Sequence, residues 1–169
     1  MDREPDVVLG ALLRGGRAFL VRRNPAKRAN PDIWDLPGGC VEHGESELEA
    51  LSRELHEELG VHIDSSSAAH LYRLTTGPSD EPAIASAWAI RDWRGEPHNC
   101  APEEHTDVGW FEIDALPSPA HPQLRAAFLV GVTAIDSRGR QERVNGSRCS
   151  ALEVVDDVPM GNYRGSASS

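Results

Sequence analysis

Three glutamates in the middle of the chain are spaced so that they could act together. Glu54, Glu57 and Glu58 are related by steps of three and four residues, which places them within about 100° of one another on a helix. None has a basic residue at i+4, since Val61 follows Glu57 and His62 follows Glu58 at that spacing. Because like charges at i and i+4 destabilise a helix, Mg²⁺, which prefers oxygen ligands, would relieve the repulsion. These residues alone leave two alternatives open, a metal site and a solvated acidic face.

The glutamates lie in the clearest predicted helix, residues 46–59. Ser46 and Glu49 match a capping box, which satisfies backbone donors of the first turn, and Gly60 stands where a helix stop is expected. Glu49 has Arg53 at i+4, and we expect these two side chains to pair. An apolar stripe with spacings of three and four should face the core, and it consists of Leu48, Leu51, Leu55 and Leu59.

The spacing continues into a longer pattern on both sides of the glutamates. From Gly39, five residues lead to Glu45, and seven more lead to the run Arg53-Glu54-Leu55-His56-Glu57-Glu58-Leu59-Gly60-Val61. Residues 39–61 thus resemble the Nudix box, in which Gly, Glu, Arg-Glu, Glu-Glu, Gly and two aliphatic residues stand at these intervals, and every fixed position matches. The resemblance covers roughly residues 7–132 and identifies the chain as similar to MutT-like Nudix hydrolases.

The resemblance implies a role for each conserved position of that pattern. Glu57 and Glu58 would be the principal Mg²⁺ ligands, with Mn²⁺ as a substitute, and Glu54 would be a further ligand or the base that activates water. The backbone carbonyl of Gly38 would complete the metal shell. Arg53 would hold a glutamate in position through a charge-assisted hydrogen bond. The catalytic set implied in this way is Arg53, Glu54, Glu57 and Glu58.

Residues outside the box complete the predicted site. Glu104 lies on a loop where many relatives carry a further metal ligand or base, and an exposed acidic loop is the alternative. Arg23 resembles the arginine that reaches substrate phosphate or sugar, and Asn99 belongs to a run similar to one in nucleoside triphosphate hydrolases. His121 stands where MutT-type enzymes have an asparagine that reads the purine edge. A neutral imidazole donates or accepts one bond at a time, whereas an amide does both, which weakens the expectation of oxidised-guanine selectivity.

The expected reaction is the Mg²⁺-dependent hydrolysis of a nucleoside diphosphate linked to a further group. A nucleoside triphosphate cleaved to the monophosphate and pyrophosphate is the preferred substrate class, with oxidised nucleotides included. An ADP-ribose or dinucleoside polyphosphate pyrophosphatase is one alternative. A nucleotide-binding module without catalysis is another, and the complete glutamate set argues against it because a pure binder gains nothing from the repulsion.

Strand and helix patterns elsewhere predict an α/β protein with a mixed sheet covered on both faces. The resemblance implies the Nudix fold, an α/β/α sandwich. Strands are predicted at residues 7–13, 18–23, 40–42, 68–75, 83–93 and 106–113, and a second helix at residues 124–132. The expected Nudix domain spans residues 1–133, and residues 134–169 are predicted to form a largely flexible tail.

The composition limits the classes of molecule that are expected to bind this chain. A net charge of −10, with Lys27 as the only lysine, predicts repulsion from a nucleic-acid backbone and favours a small nucleotide substrate. The sequence contains no run of eighteen apolar residues, so we expect no membrane-spanning helix. The cysteines, Cys40, Cys100 and Cys149, are odd in number and far apart. We therefore expect no disulfide framework and no zinc site, and we expect a cytoplasmic location. The oligomeric state is left open, with a homodimer as one alternative.

Overall fold

The computed structural model describes residues 3–77 and 79–122, together with Leu124 and Phe128. The elements, in chain order, are β1 Val7–Arg14, β2 Arg17–Arg23, β3 Trp34–Asp35, β4 Gly38–Cys40, α1 Glu47–Leu59, β5 His62–Ile63, β6 Ala69–Thr76, β7 Ala83–Ile90, β8 Trp93–Arg94 and β9 His105–Glu112. Within these residues no helix is long and apolar enough to cross a membrane.

Within the described residues, seven strands form one mixed sheet. Its central order is β3-β2-β1-β7-β6, while β4 pairs with β1 and β9 pairs with β2. β1 and β7 run parallel, with Val7 opposite Ala85 and Leu12 opposite Ile90. The other pairs in this sheet are antiparallel. The predicted mixed α/β architecture is confirmed.

The helix α1 covers one face of the sheet. Leu51 and Leu55 are fully buried and pack in one cluster with Val8 and Leu12 of β1. The contact is close at Gly10 because a Cβ there would lie 2.9 Å from a methyl carbon of Leu51 and of Leu55. This strand therefore sets how near the glutamate-bearing helix comes to the sheet.

The opposite face carries a second core cluster. Strand residues alternate between the two faces, so Leu20 of β2 packs here together with Trp34, Leu124 and Phe128. Leu124 and Phe128 have helical backbone and are buried. The remaining residues of the predicted second helix lie outside the described residues, as does the predicted tail, residues 134–169.

The predicted ends of α1 are confirmed. Ser46 accepts a hydrogen bond from the backbone N–H of Glu49, whose side chain bonds back to the N–H of Ser46. At the other end, Gly60 has a φ of +69°, a left-handed conformation that glycine adopts without strain.

Two predicted strands have wrong bounds. Residues 83–93 divide because β7 ends at Ile90, and Trp93 in β8 pairs instead with Ile63 of β5. The predicted strand at residues 40–42 begins earlier, as β4, and it is preceded by the unpredicted β3. In both places tertiary pairing determines a two- or three-residue strand, which the local residue pattern does not reveal.

We expect Leu55→Ala to lower the free energy of unfolding by about 2–5 kcal/mol, because it removes a fully buried side chain between α1 and β1. Denaturant unfolding of the full chain measures the loss. Leu48→Ala is the matched control on the same helix, and it should cost less since Leu48 is only partly buried. Equal losses in the two variants would contradict this view of the packing.

Candidate active site

The glycines of β4 bring α1 into direct contact with the chain before it. The N–H of Gly38 donates to Oε2 of Glu58 at 3.0 Å. Gly38 has a φ of +143°, and a Cβ on it would lie 2.1 Å from the carbonyl oxygen of Val8. A Cβ on Gly39 would lie 2.4–2.6 Å from the carboxylate atoms of Glu54. Position 38 therefore requires glycine, whereas a side chain on Gly39 would displace the Glu54 carboxylate, and both glycines place a glutamate of α1 against backbone.

Glu54 combines burial with competing charges. Its Oε1 accepts a hydrogen bond from Nη1 of Arg53 at 2.7 Å. Burial raises the pKa of Glu54, Arg53 opposes the rise, and the nearby carboxylates of Glu58 and Glu57 add to it. The carboxylate is thus more readily protonated than an exposed glutamate.

Arg53 connects the helix to the segment that leads into it. Its guanidinium binds Glu45 through two hydrogen bonds, of 2.8 and 2.9 Å, and donates to the carbonyl of Cys40 at 3.1 Å. Hydrogen bonds from Arg53 and from the backbone N–H of Glu42 lower the pKa of Glu45 to about 2. The expected pair of Arg53 with Glu49 is wrong, because the capping box engages Glu49 at Ser46.

The carboxylate of Glu57 is the exposed member of the set. Its side chain is 59% exposed and lies 3.6 Å from Nη1 of Arg53. In contrast, Glu58 is only 7% exposed. Its Oε1 lies 3.1 Å from Nε2 of His105. The two neighbours in sequence therefore occupy different environments, one in solvent and one within the protein.

These carboxylates are engaged by protein groups rather than gathered around one point. In the part of the chain that the structure describes, no group of three His, Cys, Asp or Glu side chains is arranged to hold a metal ion. Their chemistry nevertheless fits Mg²⁺, which prefers carboxylate and carbonyl oxygens. The repulsion that Glu57 and Glu58 exert on Glu54 is also the kind of interaction that a bound cation would relieve.

Glu104, predicted as a further ligand, is paired with a cation of the protein. Its Oε2 accepts a hydrogen bond from Nζ of Lys27. Its backbone carbonyl accepts from the N–H of Asn24 at 2.9 Å. A metal role for Glu104 would require the carboxylate to exchange Lys27 for the ion.

His105 is buried near the glutamates, and the sequence did not identify it as a candidate site residue. It is 4% exposed, and among the described residues neither of its ring nitrogens has a hydrogen-bond partner. Leaving a buried polar group unsatisfied costs roughly 1–3 kcal/mol. Such a group in a native fold requires an explanation, and its nearest charged neighbour is Glu58.

A cavity of about 590 Å³ lies on the face of the sheet opposite α1. Its floor includes Val7 and Leu9, which alternate in β1 with the residue Val8 that packs under α1. The volume is in the range of small-molecule sites. The remaining lining residues are Arg23, Arg28, Ala29, Asn30, Asp35, Tyr72, Leu74, Thr76, Gly77, Ala83, Ala85 and His121.

The cavity brings together two of the predicted substrate-binding residues, Arg23 and His121, but not the third. The guanidinium of Arg23 donates to the carbonyls of Ala29 and Asn30 and so holds the loop at the cavity wall. Asn99 does not line the cavity. Its amide instead donates to the carbonyl of His105 at 2.8 Å, and its oxygen accepts from the N–H of Ala101 at 3.1 Å.

Sequence reasoning missed two polar residues of the cavity wall, Asp35 and Tyr72. Asp35 is 8% exposed, and its Oδ1 accepts the N–H of Leu36 at 2.8 Å. Burial raises the pKa of Asp35, opposed first by His121. The pKa of Tyr72 is also raised, by burial and then by Asp35. The available signal was an acid within the apolar stretch between Trp34 and Leu36.

Comparisons with known proteins agree with this geometry. A family model described as NUDIX domain matches residues 4–129. The CTP pyrophosphohydrolase of Escherichia coli K12 is 32% identical over 132 residues, which cover 72% of this chain and 94% of that protein. The MutT NUDIX hydrolase structure from Burkholderia pseudomallei has a TM-score of 0.68 at 29% identity, covering 76% of this chain and 98% of that one.

A longer relative matches only in part. The NAD-capped RNA hydrolase NudC of Stutzerimonas stutzeri is 31% identical over 134 residues, which cover 79% of this chain. The match spans 46% of that protein, so the chain corresponds to about half the length of this relative.

We expect Asp35→Asn to stabilise the protein at neutral pH. Burial raises the pKa of Asp35 above its usual 3.8, so the folded state binds this proton more tightly than the unfolded chain does. Stability is therefore greatest below the unfolded pKa and is lost as the pH rises through the folded pKa. Asparagine keeps an oxygen for the Leu36 N–H but carries no charge. Thermal unfolding should show a higher Tm for the variant at neutral pH and a narrowing gap towards about pH 4.

Asp64→Asn is the control of opposite sign. Hydrogen bonds from the side chain and backbone N–H of Ser66 lower the pKa of Asp64, so removal of this charge should lower the Tm at neutral pH. A Tm gap for Asp35→Asn that is equal at every pH would overturn the assignment of its cost to a buried charge.

Proposed function

Because the chain belongs to the Nudix hydrolase family, in its MutT-like group, we propose that it hydrolyses a nucleoside triphosphate to the monophosphate and pyrophosphate. Members act as pyrophosphohydrolases on substrates that contain a nucleoside diphosphate. The observation that carries the proposal is that the cavity lies close to the glutamates, so that one nucleotide could contact both. Asp35 lines the cavity and Gly38 contacts Glu58, so at most about 11 Å of extended chain separates the two places.

The cavity is the proposed place for the base and sugar. Its apolar floor offers a surface for a planar ring, and the polar groups of Asp35, Tyr72 and His121 can read the edge of the base. Arg23 and Arg28 supply positive charge in the same wall. The phosphates would then extend past β4 towards α1. A relative that the chain covers almost completely is named CTP pyrophosphohydrolase, which agrees with a triphosphate substrate.

The glutamates of α1 are the proposed cation site. Glu57, Glu58 and Glu54 would hold Mg²⁺ together with the carbonyl of Gly38, and Mn²⁺ could replace it. When bound, such an ion neutralises phosphate oxygens and lowers the pKa of a coordinated water. Arg53 keeps Glu54 in place and partly offsets its charge. Glu54 either binds the cation or accepts the proton of the attacking water, and Glu104 is a further candidate ligand.

A substrate panel tests the proposal. Purified full-length protein is incubated with canonical and oxidised nucleoside triphosphates, ADP-ribose, dinucleoside polyphosphates and NAD-capped RNA, with and without Mg²⁺, and the products are separated. Release of pyrophosphate from a triphosphate as the fastest reaction supports the proposal. Faster cleavage of any other class would replace it. Tight nucleotide binding without turnover under Mg²⁺ or Mn²⁺ would instead identify a binding module.

We expect Glu57→Gln to lower kcat by about three orders of magnitude while leaving the fold intact. The substitution removes a charge that the cation would need, and the side chain is mostly exposed, so stability depends little on it. Steady-state kinetics and thermal unfolding give the two readouts. Glu49→Gln is the matched control on the same helix, because glutamine also satisfies the capping box. Near-wild-type turnover in Glu57→Gln would remove this residue from the site.

A cytoplasmic location is part of the proposal. It accords with the odd number and wide spacing of the cysteines in the sequence, and the free thiols of Cys40 and Cys100 are both exposed.

A further inference from the structure

The ring of His105 stands at an irregularity of the sheet. His105 begins β9 opposite Arg23 of β2, and the pairing shifts register there, between Arg22 and Arg23. Bulges of this kind redirect a side chain out of the regular ladder. The ring is buried; its Nε2 lies at ion-pair distance from Glu58 without the alignment of a hydrogen bond, and Nδ1 has no hydrogen-bond partner among the described residues.

A carboxylate oxygen of the proposed cation site lies beside this ring. Nε2 of His105 lies 3.1 Å from Oε1 of Glu58, and the other oxygen of the same carboxylate accepts the N–H of Gly38 at 3.0 Å. Glu58 is thus held from two sides, by β4 and by β9. A carboxylate offers about four lone-pair directions, so these two contacts fix its plane and still leave directions for a cation.

The loop before β9 is hydrogen-bonded to both Glu58 and His105. The N–H of Cys100 donates to the backbone carbonyl of Glu58 at 2.8 Å. One residue earlier, the side-chain amide of Asn99 donates to the carbonyl of His105 at 2.8 Å. A single loop therefore fixes the backbone of the glutamate and the backbone of the histidine relative to each other.

We propose that His105 is a positioning residue, which sets the Glu58 carboxylate for cation binding, and that Asn99 fixes His105 in place. The inference rests on the proposed function, because it concerns the position of Glu58 in the cation site. An apolar side chain of similar size would fill the same space without the polar contact. The burial of a polar ring at this place is explained by its contact with Glu58, in which Nε2 lies 3.1 Å from Oε1.

The test measures cation binding without turnover. Mn²⁺ binding to the full-length protein is titrated by electron paramagnetic resonance, with no nucleotide present, for wild type, His105→Leu, His105→Gln and Asn99→Ala. His105→Leu should bind Mn²⁺ about 10- to 100-fold more weakly, the range found when the partner of a metal ligand is removed. His105→Gln places an amide near the position of Nε2 and should recover most of the affinity. Asn99→Ala should fall between wild type and His105→Leu.

The matched control is His70→Leu. His70 is a more exposed histidine whose ring also lies beside a polar group, with Nε2 3.2 Å from the hydroxyl of Ser86, which in turn donates to Glu47 at the other end of α1. This variant should keep wild-type Mn²⁺ affinity. Thermal unfolding of the metal-free proteins identifies any variant that has lost its fold. If His105→Leu does not fold, the Mn²⁺ affinities of His105→Gln and Asn99→Ala decide the outcome.

Kinetics supply a second readout. Since His105 does not line the cavity, His105→Leu should lower kcat at fixed Mg²⁺ and leave the KM for nucleotide nearly unchanged. Unchanged Mn²⁺ affinity in folded His105→Leu, beside a wild type that binds, would overturn this inference alone. A wild type that binds no Mn²⁺ and cleaves no substrate would overturn the proposed function itself.

Discussion

The hydrogen bond from the Gly38 N–H to Glu58 joins the glutamate-bearing helix to the strand that precedes it. Glu54 makes the neighbouring contact, because its carboxylate occupies the space where a side chain on Gly39 would be. β4 is in turn paired with β1, which also supports α1 at Gly10. α1, β4 and β1 are therefore joined by direct contacts, and Glu54 and Glu58 lie where α1 meets β4.

Several carboxylates share the single guanidinium of Arg53. Arg53 binds Glu45 and Glu54, and its distance of 3.6 Å from Glu57 makes that third contact weaker. One guanidinium cannot neutralise all of these carboxylates, and the raised pKa of Glu54 reflects its burial together with the remaining repulsion. The repulsion that remains is what the proposed cation would relieve. A helix that served only as a solvated surface would place basic residues at i+4 instead.

The parts of the fold with strong local patterns could be predicted from the sequence. The capping box at Ser46, the stop at Gly60 and the leucine stripe all depend on residues close in the chain, and α1 has the expected bounds. Contacts between residues far apart in the sequence were harder to predict. Arg53 reaches eight positions back to Glu45 rather than four back to Glu49, because Glu49 is already engaged at the helix start.

The candidate site shows the same difference between local patterns and long-range contacts. Arg23 and His121, both predicted to bind substrate, line the same cavity, whereas the amide of Asn99 donates to the backbone carbonyl of His105. Asp35 was missed because a lone acid beside a tryptophan gives no periodic signal. Its burial follows only from the pairing of β3 with β2 and from the neighbouring cavity. The proposed role of His105 likewise depends on a register shift that no local pattern reveals.

The topology explains how a substrate can reach both faces of the sheet. One edge of β1 pairs with β4 at Val7–Leu9 and with β2 only at its far end, near Leu13. The segment 34–40 crosses this split, since β3 pairs with β2 and β4 pairs with β1. Its first residues face the cavity and its last contact the helix. Under the proposed function, a nucleotide that follows this segment would have its base on one face and its phosphates on the other. The change of partner along β1 is what would allow base recognition and phosphate chemistry on opposite sides of one sheet.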